Sequence, residues 1–294
     1  MRLVTYAING SRHAGVMTQK GIVPVTSVDA GLPDDVLGLI VAGETALSTL
    51  RQGLSNGTSM LAPDAVKVEA PIMQPARNIF CIGKNYIEHA REFEDSGIDA
   101  TSAGQSTPDV PIVFTKAPSS VTGPTDDVDS RMDPTGTIDY EGELAVIIGT
   151  GGRGIKAAEA MEHVFGYTVV NDVTARETQN RHKQWFLGKS PDTFCPMGPV
   201  LVTADEITDI GSMRLTTKVN GEVRQDAYVR DLIFDIPTII ATISRSITLK
   251  PGDIIATGTP AGVAIGFKPP KYLKVGDVVE VTIDPIGTIV NRVV

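Results

Sequence analysis

The sequence predicts an α+β fold that is mostly β. It divides into a small N-terminal α/β meander domain over residues 1–72 and a larger domain over 73–294. Three observations carry this. Short β-branched or alternating apolar runs recur along the chain, as strands do. Asn9-Gly10 and Asn220-Gly221 split such runs, which is the strongest short-range hairpin signal. Helical patterns are few and short, and Pro71 and Pro75 punctuate the boundary between the two parts.

In the first part, runs at residues 3–8, 13–17 and 21–25 form the meander, joined by Asn9-Gly10 and Lys20-Gly21. An amphipathic helix follows over 34–50, with Pro33 before its first turn and Gly53 after it. His13 reads as a surface strand residue.

The second part opens with a buried strand over 78–83 that runs into a helix over 84–93. His89 and Glu92 are three apart, so a helix places them on one face. A carboxylate beside an imidazole makes a general base; the same pair also suits an exposed polar helix. Residues 94–110 are small and polar, and read equally as an active-site lid or a surface insertion. A strand over 111–116 ends in Lys116, placed to anchor an anion.

Next comes Thr137-Ile138-Asp139-Tyr140-Glu141-Gly142-Glu143, followed by an apolar run to Gly149. Residues two apart on a strand share a face, so three carboxylates would point one way at the mouth of a buried strand. Such acids repel and are costly to desolvate. Either a hard divalent cation lies between them or they face water at a solvated strand end.

A short helix over 157–164 leads into a strand over 164–172 that ends at Asp172. Asp172 serves both as an N-cap for a helix through residue 180 and as a further oxygen donor. Arg176 and Gln179 lie along that helix. The final third is β-rich: a hairpin about Asn220-Gly221, a helix over 236–247, a strand into the Gly/Thr/Pro turn at 257–263, and two closing strands. That turn lacks the lysine and spacing of a P-loop.

Composition narrows the partners. Hydrophobic content of 41% and charged content of 21% suit a globular protein. A net charge of −9 speaks against nucleic acid and against an anionic membrane surface. No apolar run approaches the roughly 20 residues of a membrane span. The chain begins like a strand, with no signal-peptide pattern, and its two cysteines, Cys81 and Cys195, are too few for a disulfide framework. The expected setting is a reducing cytoplasm.

Taken in order, several of these pieces together resemble the fumarylacetoacetate hydrolase family. The matching residues are Gly83-x-Asn85-Tyr86-x-x-His89-x-x-Glu92, Pro108-x-x-Pro111-x-x-Phe114-x-Lys116 and Asp139-Tyr140-Glu141-Gly142-Glu143-Leu144. They continue with Asn171-Asp172-Val173-x-x-Arg176, Gly252-Asp253-Ile254 and Thr257-Gly258-Thr259-Pro260-x-Gly262-Val263. The resemblance spans residues 75–294. It implies mixed β-sheets rolled around one metal site, and a homodimer. It implies Mg²⁺, with Mn²⁺ or Ca²⁺ as substitutes, held by Glu141, Glu143 and Asp172, with Asp139 outside the ligand set. It also implies catalysis by His89, Glu92 and Lys189, and substrate oxygens held by Arg176, Lys189 and Thr259, with Lys116 and Gln179 beside them.

The activity so implied is hydrolysis of a C–C bond in an acylpyruvate or related β-diketo acid, giving pyruvate and a carboxylic acid. The alternative is decarboxylation of oxaloacetate, or isomerisation or decarboxylation of a 2-oxo diacid, on the same site. The partner in each case is a small anionic 2-oxo acid. This chain departs from its resemblance at Gly262-Val263-Ala264, where relatives carry Gly-Val-Gly, and in a longer segment between Glu92 and Pro108.

Overall fold

The computed structural model describes residues 1–54, 60–95 and 107–294. Its frame is an 11-stranded mixed sheet. The sheet runs from the Gly21–Pro24 edge through Ser11–Thr18 and Arg2–Ile8 to Cys195–Thr203, then through Val164–Asn171, Gly142–Ile148, Ile254–Ala256 and Ile79–Gly83 to the Ile112–Lys116 edge. The N-terminal strands therefore extend the sheet that carries the acidic stretch, with Arg2 opposite Val202 and Leu3 opposite Leu201.

The central strands are buried along their whole length. Gly142–Ile148 and Val164–Asn171 have no exposed residue, which is why their sequences run apolar instead of alternating. They pair antiparallel, with Val170 opposite Glu143 and Asn171 opposite Gly142. Glu143 and Asp172 thus emerge side by side at one end of the pair.

A four-stranded sheet packs behind them. Its order is Glu222–Tyr228, Arg214–Val219, Val278–Ile283, Gly287–Arg292. The hairpin turn holds Asn220 at φ 52° and Gly221 at φ 81°, as an Asn-Gly turn of this type requires. Gly142 is the point of closest approach. A Cβ there would run into Thr217 Oγ1 and lie 2.8 Å from Val281 Cγ1, both on β-branched side chains of the small sheet.

Several expectations shift. The helix over 34–50 is two helices, Val36–Ala42 and Glu44–Leu54, broken at Gly43 with φ 63°. The run through Asp139 and Glu143 is not one strand: Ile138–Asp139 pairs with Thr174–Ala175, and the backbone leaves the ladder at Tyr140 and Glu141. Asp172 is not an N-cap, because the helix begins at Arg176 after a two-residue strand. The Cys195–Thr203 strand is hidden in the sequence by Pro196, Gly198 and Pro199, residues that argue against a central strand. Of the loop expected over 94–110, residues 96–106 lie outside those described. No helix among the described residues is long and apolar enough to cross a membrane.

Gly142→Ala should destabilise the protein by about 1–3 kcal/mol, the usual cost of overpacking a tight core. Chemical denaturation of the variant beside the wild type measures this; an unchanged midpoint would show that the two sheets can part at no cost.

Candidate active site

The break at Tyr140-Glu141 separates the three acids of the opening stretch. Glu141 and Glu143 turn toward Asp172, and oxygens of these three carboxylates lie within 4.8 Å of one another. Asp139 turns the other way. All four are buried: Asp139 and Asp172 are 0% exposed, Glu143 1% and Glu141 4%.

Four dry carboxylates need cations. Lys189, at the end of the short Phe186–Lys189 helix, places its ammonium 2.6 Å from Glu141 Oε2 and 2.7 Å from Asp172 Oδ2. Arg176 donates Nε to Asp139 Oδ2 at 2.9 Å and Nη1 to Gln179 Oε1 at 3.2 Å, and its Nη2 lies 2.7 Å from Glu141 Oε1. Lys116 donates to Asp172 Oδ1 at 2.7 Å and Val173 O at 3.1 Å, and also to the Lys189 carbonyl.

The acids respond differently. Burial would push Glu141 up, but Lys189 and Arg176 override it and hold the carboxyl at about 2. Glu143 is pushed well above its ordinary value, first by burial and then by the neighbouring charges of Asp172 and Glu141. Burial also raises Asp139 against the pull of Arg176. Lys189 is raised, since Asp172 and Glu141 outweigh its own desolvation.

The turn after the Ile254–Ala256 strand completes the centre. The Gly258 N–H donates to Glu143 Oε2 at 2.7 Å, and Thr259 Oγ1 donates to Gly142 O at 2.9 Å. Gly258 has φ 107°, and a Cβ would lie 2.7 Å from Asn85 Cβ, so only glycine fits. Asn85 donates Nδ2 to Thr257 O at 2.8 Å and to Phe234 O at 3.0 Å, and accepts the Phe234 N–H.

The His89–Glu92 pair lies on the Ile87–Asp95 helix, with Nδ1 3.5 Å from Glu92 Oε2. Both Glu92 oxygens accept the Gly262 N–H at 3.1 Å. A Cβ on Gly266 would run into the same carboxylate, so the residue 262–266 turn forms its seat. Nδ1 faces Glu92, and the ring lines a cleft.

This narrow cleft joins these groups. His89, Glu141, Glu143, Arg176, Gln179, Lys189 and Thr259 line it, together with Lys84, Phe114 and Trp185. Lys116 is not on its wall; buried behind Asp172, it braces that carboxylate instead of reaching into the cleft. Lys84 is on the wall, and sequence reasoning passed over it. It is 4% exposed and holds a left-handed φ of 54°, unusual for a non-glycine residue. Its one signal is a lysine directly after the glycine that closes a buried strand. Gly252-Asp253-Ile254 proves to be scaffold, because Asp253 pairs with Arg77. Cys81 and Cys195 lie in the sheet beside the carboxylates. Burial pushes both thiols up, Cys195 to about 12, so neither is a thiolate donor for a metal.

A family model described as fumarylacetoacetate (FAA) hydrolase C-terminal matches residues 78–294. The chain belongs to the fumarylacetoacetate hydrolase family. The oxaloacetate tautomerase YisK of Bacillus subtilis is 52% identical over 237 residues, covering 81% of this chain and 76% of that one. A fumarylacetoacetate hydrolase from Exiguobacterium antarcticum superposes with a TM-score of 0.84 at 42% identity, covering 100% of this chain and 99% of that one. The maleylpyruvate hydrolase of Sphingobium sp. SYK-6, in complex with manganese(II) and pyruvate, superposes with a TM-score of 0.80 at 31% identity, covering 100% and 99%. The α+β, sheet-dominated fold is that of the family.

The residues present fit a divalent cation. The donors are hard oxygens, they converge, and Glu143 carries the repulsion that a double positive charge would relieve. Because the folded Glu143 value lies above the ordinary 4.5, unfolding of the cation-free protein releases this proton. Its contribution to stability is therefore full at low pH and lost as pH rises through the folded value. A metal ion competes for the same oxygens. Mn²⁺ affinity should rise with pH, and calorimetry in buffers of differing ionisation heat should show proton release on binding. A pH-independent affinity with no proton release would contradict this assignment.

Proposed function

We propose that this protein is a divalent-metal-dependent isomerase of a 2-oxo diacid, interconverting the keto and enol forms of oxaloacetate or a close analogue. The observation that carries the reading is the 52% identity to an oxaloacetate tautomerase, joined to three converging carboxylates that fit a divalent cation. The cations Lys84, Arg176 and Lys189 on the cleft wall suit an anionic substrate.

The chemistry is a proton transfer with no water consumed. One proton leaves C3 and one arrives on the C2 oxygen, or the reverse. His89 Nε2 is the carrier, with Glu92 orienting the ring and balancing the imidazolium charge. Arg176, held at three points, orients the 2-oxo acid head, with Gln179 and Thr259 on the same wall. Lys189 stabilises negative charge as it develops on the C2 oxygen. Glu141, Glu143 and Asp172 would hold the cation, which when bound lowers the cost of the enolate charge. Mg²⁺ is the ion we assign, with Mn²⁺ and Ca²⁺ as substitutes. Lys84 takes the second carboxylate of the diacid. The assembly is a homodimer, which light scattering on the purified protein checks.

Hydrolysis of an acylpyruvate is the second reading. It is favoured by the likeness to maleylpyruvate hydrolase and by the His89–Glu92 pair, which would serve to activate water.

With oxaloacetate and Mg²⁺ or Mn²⁺, the decay of enol absorbance should accelerate, without release of CO₂, and the acceleration should vanish with EDTA. His89→Ala should lower the rate by about 10²–10⁴-fold. Pyruvate release from acetylpyruvate or fumarylpyruvate faster than enol decay would replace the first reading with the second.

Lys84→Met should raise the KM for oxaloacetate about tenfold, the value of one charged hydrogen bond. Pyruvate, with one carboxylate, should inhibit this variant and the wild type equally. An unchanged KM removes Lys84 from the diacid site.

A further inference from the structure

The acid left outside the ligand set accepts four hydrogen bonds. Asp139 Oδ1 accepts the Tyr140 N–H at 2.8 Å and the Ala264 N–H at 2.6 Å. Oδ2 accepts the Ile265 N–H at 3.1 Å and Arg176 Nε at 2.9 Å. One buried carboxylate thus touches two parts of the site that come from distant segments. One is Arg176. The other is the 3₁₀ turn Ala264–Gly266, which follows Gly262 and ends in Gly266, the two glycines that seat Glu92. Tyr140 strengthens the second tie, since its hydroxyl donates to Gly262 O at 2.8 Å.

We propose that Asp139 is a positioning residue that sets Arg176 in register with the His89–Glu92 pair. The inference rests on the reading above, in which Arg176 orients the substrate head and the pair moves its proton. Those two jobs must agree in position, because a proton carrier displaced by about 1 Å loses much of its rate. The guanidinium sits on flexible methylenes and the carboxylate on a short helix from a distant segment, so a neighbour shared by both sides is what can set them in register. Asp139 is that neighbour: the same two oxygens hold the guanidinium on one side and the Glu92 seat on the other. Metal affinity is read separately, since Asp139 is not among the three converging carboxylates.

Asp139→Asn keeps the shape and one acceptor but turns an N–H toward Arg176 Nε. Ala264→Pro breaks the tie from the turn side. It removes the N–H at the first position of the 3₁₀ turn, where proline is tolerated, and Val263 before it has the extended backbone that a following proline requires.

The experiment uses the full chain loaded with Mn²⁺. Calorimetry reads the Mn²⁺ and oxalate affinities, oxalate standing for the two adjacent oxygens of a 2-oxo acid, and steady-state kinetics with oxaloacetate follow. Asp139→Asn should weaken oxalate binding and raise KM by about tenfold, the value of one charged hydrogen bond. It should also lower kcat, while Mn²⁺ affinity stays within about twofold by the same scale. Ala264→Pro should lower kcat more than it raises KM, because it loosens the Glu92 side. The double variant Asp139→Asn, Glu92→Gln should lose less in kcat than the product of the single losses, as coupled residues do.

Unchanged oxalate affinity in Asp139→Asn, Mn²⁺ affinity falling in step with oxalate, or multiplicative kcat losses would each overturn the proposal. Should the Asn variant fail to fold, Ala264→Pro and the cycle Ala264→Pro, Glu92→Gln decide it by the same criteria. A wild type inert toward oxaloacetate would sink the tautomerase reading alone, since the oxalate and Mn²⁺ titrations still test Asp139.

Discussion

Four carboxylates share one dry pocket here, and that crowding organises the rest. Asp139, Glu141, Glu143 and Asp172 would be unsustainable in an apolar interior without compensation. Lys116, Arg176 and Lys189 supply it, each itself buried and each bonded to at least one of the four. Three cations stand against four acids, and the fourth acid, Glu143, is pushed well above its ordinary value and so favours its protonated, neutral form. A divalent cation would take the place of that proton on the side where the oxygens converge.

The backbone is shaped to keep that crowd in place. Two antiparallel strands bring Glu143 and Asp172 out side by side. The chain leaves the ladder at Tyr140-Glu141 so that Glu141 turns toward them and Asp139 turns away. Glycines then allow close approach: Gly142 lets the small sheet back the carboxylate strand, and Gly258 brings an N–H onto Glu143. The groups that line the site come from the ends of strands, from short helices and from a turn, while the central pair of strands sets their origin.

Much of this was legible before any coordinates. The apolar runs over 142–149 and 164–171 have no alternation because both faces are covered, and Asn220-Gly221 specifies its hairpin by backbone conformation alone. Glu141, Glu143 and Asp172 could be grouped through the family resemblance, and they do converge. What escaped was decided by tertiary context. The Cys195–Thr203 strand carries two prolines that a local rule forbids, yet it joins the N-terminal hairpin to the site. Lys116 looked like an anion anchor at a strand end, but its neighbour in space is Asp172, 56 residues away. Strand alternation alone puts Asp139 on the face of Glu141 and Glu143, the family resemblance leaves it out of the ligand set, and the break at Tyr140 that separates it has partners at residues 174–176 and 262–265.

Cys81 and Cys195 carry a practical consequence of the same dryness. They lie on strands of the sheet that holds the carboxylates, fully enclosed and kept protonated. A thiol in that state is chemically silent while the strands stay together and becomes an ordinary nucleophile once they separate. The protein therefore carries two built-in reporters of its own opening. The rate at which they take up a thiol label measures how often the floor of the site is laid bare to solvent.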